Sequence, residues 1–158
     1  MIKIDEVVDA INKVNLSENY LNISPRAYYD YDEKNIFFVE KEEVDEFLRK
    51  LDNDLLTEDD VYNNLHYLAL VDFDEVRFKR IKVVFFLDVV INTFIDSKKN
   101  EVYYEGLKNM YFNNCRFASI KKEFLKYDIL DDFYDFKFKY LKTLAIEFCI
   151  RNEIEYEK

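Results

Sequence analysis

The sequence predicts a mainly α-helical fold: five to seven helices in a compact domain around a central apolar helix, with a small N-terminal β-hairpin. Three observations carry that expectation. From Val83 to Ile95 the only polar side chains are Asp88, Asn92 and Thr93, and Val83, Phe86, Leu87, Val90, Ile91 and Phe94 recur at helical spacing. Val84, Phe85 and Val89 cover another side, so the segment reads as a helix buried on several faces. One glycine and one proline leave little material for tight turns or barrel corners. Finally, 158 residues of which 49% are hydrophobic and 18% aromatic are enough to bury a core. The apolar stretch falls short of the ~20 residues a membrane span requires, and Arg77, Lys79, Arg80 and Lys82 lead into it, so it is assigned to the core.

The remaining elements follow in chain order. Val7, Val8, Ala10, Ile11 and Val14 make Asp5 to Val14 the first helix, ending in the polar stretch Asn15 to Asn19. Ser24-Pro25 interrupts helical geometry, and Ala27 to Tyr31 and Ile36 to Val39 then form a candidate hairpin around Asp32-Glu33-Lys34-Asn35. Val44, Phe47, Leu48 and Leu51 give one side of a helix over Glu42 to Leu51. Thr57 followed by Glu58, Asp59 and Asp60 is a capped helix start, with the helix running through Val61, Leu65, Leu68 and Ala69. Asp72 or Asp74 is expected to cap the central helix. Helices over Val102 to Phe112, Phe117 to Tyr127 and Leu130 to Ile150 complete the chain. In the last, Phe136, Phe138 and Tyr140 alternate with lysines as a strand would, but Tyr134, Phe138, Leu141, Ala145 and Phe148 keep the helical spacing. A single domain, 1–158, is expected, with an acidic N-terminal subdomain over 1–52 and a helical core over 53–158.

Charge divides the chain more sharply than hydropathy does. Residues 1–97 hold 22 acidic and 11 basic side chains, a balance of -11, whereas residues 98–158 hold 11 and 12, a balance of +1. Between Asp30 and Asp60 there are 13 acidic residues against four basic. Such a field attracts a basic partner and repels phosphate backbones. Arg77, Lys79, Arg80 and Lys82 form one basic cluster and Arg116, Lys121, Lys122 and Lys126 a second. Both are expected to pair with the acidic half rather than with nucleic acid. Cys115 and Cys149 have no metal-ligand spacing, and no signal segment is visible, which points to a reducing cytoplasm.

Catalytic patterns are sparse. His66 is the only histidine, so a two-histidine metal site is excluded, and no nucleophile or orienting carboxylate can be assigned to it. The lone Gly106 cannot build a phosphate-cradling loop. Tyr67 to Val71 followed by Asp72-Phe73-Asp74 resembles the first motif of haloacid-dehalogenase-type phosphatases, which implies a magnesium-dependent hydrolase using Asp72 and Asp74. Glu75 stands where that family has a small residue, and helix capping explains the same carboxylates.

A longer resemblance covers residues 1–50. A first helix, Ser24-Pro25-Arg26, an aromatic hairpin and then Glu40-Lys41-Glu42-Glu43-Val44-Asp45-Glu46-Phe47-Leu48 are similar to the excisionase and MerR-type winged helix-turn-helix. The resemblance implies a DNA-binding regulator with the hairpin as its wing and a second helix within Leu16 to Ile23. The wing here carries Asp30, Asp32 and Glu33, a charge that phosphates repel.

These readings leave three functions in order. The first is a non-enzymatic acidic protein-binding module without cofactor or metal: an intracellular inhibitor, immunity or anti-defence protein, similar in size and acidity to phage and viral examples. Its partner is a basic protein, such as a nuclease or another nucleic-acid-binding protein, and a homodimer is compatible with it. Docking is expected on Tyr28, Tyr29, Asp30, Tyr31, Asp32, Glu33, Glu42, Glu43 and Glu46, where aromatic anchors would be rimmed by carboxylates. The winged-helix regulator is second and the metal-dependent hydrolase third.

Overall fold

The computed structural model describes residues 1–16 and 24–158, so the second helix expected within Leu16 to Ile23 lies outside the described residues save for Leu16, the last residue of the first helix. Among the described residues helix accounts for 58% and strand for 11%. The fold is therefore mainly helical, but its sheets make it more than an all-α protein with a hairpin. The chain forms two compact units: residues 1–84 with 144–158, and residues 85–143. The boundary at Val84 cuts through the apolar stretch read as a single central helix. Val83 to Phe86 are not helical, and the helix begins only at Leu87.

The first unit is built on a three-stranded antiparallel sheet, in which β2 (Arg26–Asp30) lies between β3 (Asn35–Val39) and β4 (Phe78–Arg80). β2 and β3 are the expected hairpin, with Tyr28 opposite Phe37 and Tyr29 opposite Ile36. β4 is legible in the sequence only as a basic cluster, because Phe78 and Ile81 stand three residues apart and do not show the two-residue period of a strand. Side chains alternate across β2, and both faces are covered. Tyr28 and Phe78 join Val39, Val44, Phe47, Tyr67 and Leu70 in a core made with α2 (Lys41–Asp52) and α4 (Leu65–Val71). On the other face α1 (Ile4–Leu16) packs against β2 and β3, with Lys13 Nζ 4.0 Å from the centre of the Phe38 ring. Two further short strands, β1 (Ile2–Lys3) and β5 (Tyr156–Glu157), pair in parallel and bring the two ends of the chain together.

The expected single helix after Thr57 is two. α3 (Glu58–Tyr62) starts with a complete capping box between Thr57 and Asp60, then Asn63 and Asn64 break the run. The Asn64 side chain caps α4 by accepting from the Tyr67 amide at 3.1 Å. Asparagine competes with the helix backbone for its own hydrogen bonds, which is why a pair of them ends one helix and starts another. Among the described residues this raises the count to eight helices.

The second unit holds α5 (Leu87–Asp96), α6 (Tyr104–Phe112), α7 (Phe117–Lys126) and the part of α8 (Leu130–Arg151) up to Thr143. Its core is a knot of aromatic rings: Phe94, Phe124 and Phe133 lie pairwise 5.2 to 5.4 Å apart at tilted or edge-on angles. Such contacts add ~0.5–1.5 kcal/mol per pair beyond the area they bury. The alternation between Asp135 and Lys142 is helical throughout.

A chain with one glycine still has to end its helices. α2, α6, α7 and α8 all do so in the same way, with Asp54, Asn114, Asp128 and Glu153 at φ between 53° and 56°. In each case the next residue, Leu55, Cys115, Ile129 or Ile154, donates its amide to the carbonyl five residues back. That is the Schellman closure, which usually takes glycine at the left-handed position. Here short polar or acidic residues take it, at a cost of ~1–2 kcal/mol for each left-handed L-residue.

One buried carboxylate ties the sheet together. Asp30 is 1% exposed. Its Oδ1 accepts from the amides of Asp32 at 2.9 Å and Glu33 at 3.4 Å, and its two oxygens receive the fork of Arg77 at 3.1 and 2.9 Å. Burial alone would push the carboxyl up, but the Arg77 fork and the two amides together hold it below its ordinary value. A carboxyl with a depressed folded-state pKa contributes stability above the unfolded value near 4, and that contribution is lost as pH falls through the folded pKa. Asp30→Asn is therefore expected to lower unfolding free energy at pH 7 by about 2–4 kcal/mol, below the ~3–5 of a fully buried pair because the Arg77 side chain keeps 37% of its exposure. Urea titrations at pH 7 and pH 3 check this: the gap between wild type and variant should narrow in acid.

Candidate functional site

The residues expected to form a docking face are divided by the fold into core and surface. Tyr28 and Tyr29 are each 4% exposed, because β4 and a helical layer on each face bury what a lone hairpin would have left in water. They are core residues, not anchors. Asp30 is likewise consumed inside the sheet by Arg77. Tyr31 is half-buried, its hydroxyl donating to the Asn152 carbonyl at 2.9 Å. Asp32 and Glu33 are exposed at the hairpin tip, and the Asp32 carboxylate lies 3.1 Å from Arg77 Nε.

On α2 only Glu42 of the three expected glutamates is both exposed and without a cation among the described residues. Glu43 Oε2 lies 2.5 Å from His66 Nδ1, and that ring stacks on Phe37 at 5.6 Å. His66 therefore extends the packing of the sheet outward to α2. Glu46 accepts both arms of the Arg49 fork at 2.9 and 2.8 Å, and this lowers its pKa. Asp45 holds Lys41 at 2.5 Å. Among the described residues no ion pair or hydrogen bond joins the hairpin-tip carboxylates to those of α2.

Uncompensated negative charge also sits on α3. Glu58 and Asp59 are exposed and have no cation within ion-pair distance among the described residues, and Asp60 is held by the Thr57 cap. Beside them a groove of about 360 Å³ is lined by Leu56, Val61, Tyr62, Leu68 and Val71. Tyr62 is 73% exposed, and Leu51, Leu55 and Leu65 in the same stretch are also exposed in part. The signal lay in Asp59-Asp60-Val61-Tyr62-Asn63-Asn64: a five-residue helix is too short to bury its own apolar side.

Among the described residues half of the cations in the two basic clusters form ion pairs. Arg77 takes Asp30 and Asp32, Lys79 and Lys82 take Glu75, and Lys126 takes Glu123 at 3.5 Å. Arg80 takes none.

Asp72 does not cap the central helix. It ends α4, and its carboxylate accepts the amides of Arg77 and Phe78, each at 2.8 Å, and of Val76 at 3.1 Å. Burial pushes this carboxyl up, yet the three amides hold it below its ordinary value. The carboxylate thus organises the turn that delivers β4 to the sheet, while Asp74 is exposed. Among the described residues no group of three His, Cys, Asp or Glu side chains is placed to hold a metal ion. Asp72→Ala is expected to cost about 2–3 kcal/mol, the scale of hydrogen bonds to a charged acceptor, in urea denaturation. Magnesium is expected to leave the melting temperatures of both proteins unchanged; a rise in the wild type alone would support the hydrolase reading.

Comparisons of the chain with family models, with curated proteins and with solved structures returned no match.

Proposed function

We propose that this chain is a non-enzymatic acidic protein-binding module, an inhibitor, immunity or anti-defence protein that docks on a basic partner. The observation that carries this reading is the groove beside α3, where exposed apolar side chains adjoin the unpaired carboxylates Glu58 and Asp59. Its occupant is a basic, amphipathic protein segment: an apolar side chain fills the groove while lysines or arginines meet the rim. Carboxylates at such a rim steer the encounter and set its salt dependence, whereas the desolvated centre holds the complex together. Tyr62, with an apolar ring and a polar tip, suits the anchor role that the buried Tyr28 and Tyr29 cannot take.

The test uses the partner captured from native lysate by the wild-type protein. Glu58→Lys with Asp59→Lys should slow its association about tenfold or more at low salt and flatten the salt dependence. The α2 triple reversal Glu42→Lys, Glu43→Lys, Glu46→Lys should have a smaller effect, since two of those side chains are already paired. Reversal of Glu153, Glu155 and Glu157 should do little. Equal effects from all three variants would mean that net charge, not this face, attracts the partner. A second expectation is that the protein does not shift duplex DNA at physiological salt, because the hairpin tip and α2 oppose phosphates. A gel shift abolished by Arg26→Ala would favour the winged-helix regulator instead.

A further inference from the structure

Within the acidic first unit lies a cavity of the opposite sign. It encloses about 510 Å³ between the start of β2, the first turns of α2 and the chain leaving β4. Four cations line it, Arg26, Lys41, Arg80 and Lys82, against the single carboxylate of Asp45. Asp45 is already held by Lys41 at 2.5 Å. Lys82 reaches Glu75 only at 3.9 Å and is largely in water. Arg26 and Arg80 have no ion pair or hydrogen bond at all among the described residues, though both are partly buried. Antiparallel pairing sets Tyr28 opposite Arg80, and Arg26 precedes Tyr28 by two residues, so both arginines project from the same face of the sheet.

This arrangement is costly as it stands. A partly desolvated guanidinium normally has a carboxylate on it, and the neighbouring Asp30–Arg77 fork shows that the fold supplies one where charge balance alone is required. Among the described residues the only carboxylate acting on Arg80 is Glu75, which Lys79 and Lys82 already hold. Burial, with Arg26 adding repulsion, pushes the Arg80 guanidinium below its ordinary value. The walls between the cations are apolar, with Val44, Leu48 and Val83 among them, and the buried Asn15 amide fixes one wall by donating to the Val83 carbonyl at 2.7 Å.

We infer that this cavity binds a phosphate group carried on a small, partly apolar molecule, with Arg26 and Arg80 as its two guanidinium ligands. Guanidinium forks match phosphate oxygens in pairs, and a dianion satisfies two arginines at once where one carboxylate satisfies only one. The volume is that of a small-molecule site.

Calorimetric titration of the full chain with inorganic phosphate and with phenyl phosphate tests the proposal. Saturable binding of both is expected, tighter for phenyl phosphate because of the apolar walls, and weakened at least tenfold by Arg80→Gln and by Arg26→Gln alike. Lys121→Gln with Lys122→Gln, in the other unit, should change nothing. Without phosphate, Arg80→Gln should melt no lower than wild type, since it removes an unpaired, half-buried charge, whereas phosphate should raise only the wild-type melting temperature. Arg26→Gln, at the first residue of its strand, carries the test if Arg80→Gln does not fold. No saturable binding in the millimolar range, or binding indifferent to both arginine variants, would overturn the inference. So would a duplex or single-stranded oligonucleotide that displaces phenyl phosphate and binds far more tightly, which would make the cavity part of a nucleic-acid surface.

Discussion

The first unit depends on the buried fork between Asp30 and Arg77. Asp30 closes the β2–β3 hairpin by accepting the Asp32 and Glu33 amides, and the same carboxylate draws in Arg77 from 47 residues further on. Arg77 stands directly before Phe78, so the pair sets where β4 begins and hence its register, with Asp30 opposite Phe78. Asp72 works from the other side of the same turn by binding the amides of Val76, Arg77 and Phe78. Two carboxylates therefore fix one strand. The burial of Tyr28 and Phe78 in the core with α2 and α4 follows from that placement.

Local closures matter to this protein because its chain is so poor in glycine. Four helices end on a left-handed Asp, Asn or Glu, and each closure is followed by a residue with an apolar side chain. The strain of a left-handed L-residue is offset by the carbonyls it satisfies and by the apolar residue it delivers, such as Ile129 in the core of the second unit and Ile154 in that of the first. The Asn63-Asn64 break does the same between α3 and α4, and it leaves Tyr62 on a helix too short to hide it.

Charge is sorted at a finer scale than the two halves of the sequence suggest. Along α2 carboxylates and cations neutralise one another within one turn, at Asp45 with Lys41 and at Glu46 with Arg49. Along α3 nothing balances Glu58 and Asp59 among the described residues, and the apolar groove lies there. Where the start of β2 meets the end of β4, guanidinium groups converge without a counter-ion among the described residues, although net charge over residues 1–97 is strongly negative. A basic protein segment and a phosphate-bearing small molecule would thus meet different parts of the same unit, each at a place where the fold leaves charge uncompensated.

What the sequence determined by itself is local. Helical spacing placed α1, α2, α6, α7 and α8 to within a few residues, because an amphipathic helix writes its period into neighbouring positions. The hairpin and the Thr57 cap were readable for the same reason. Contacts between distant residues decided the rest. Val83 to Ile95 has the composition of one buried helix, yet the chain passes there from one unit to the other, and apolar composition is equally suited to the extended and helical parts. Arg77 to Lys82 looked like a basic surface until pairing with β2 made three of its residues a strand. Tyr28 and Tyr29 looked like anchors until the third strand and the helices on both faces buried them. Whether an arginine is neutralised or a tyrosine exposed depends on what lies opposite across the sheet, and only the tertiary structure supplies that partner.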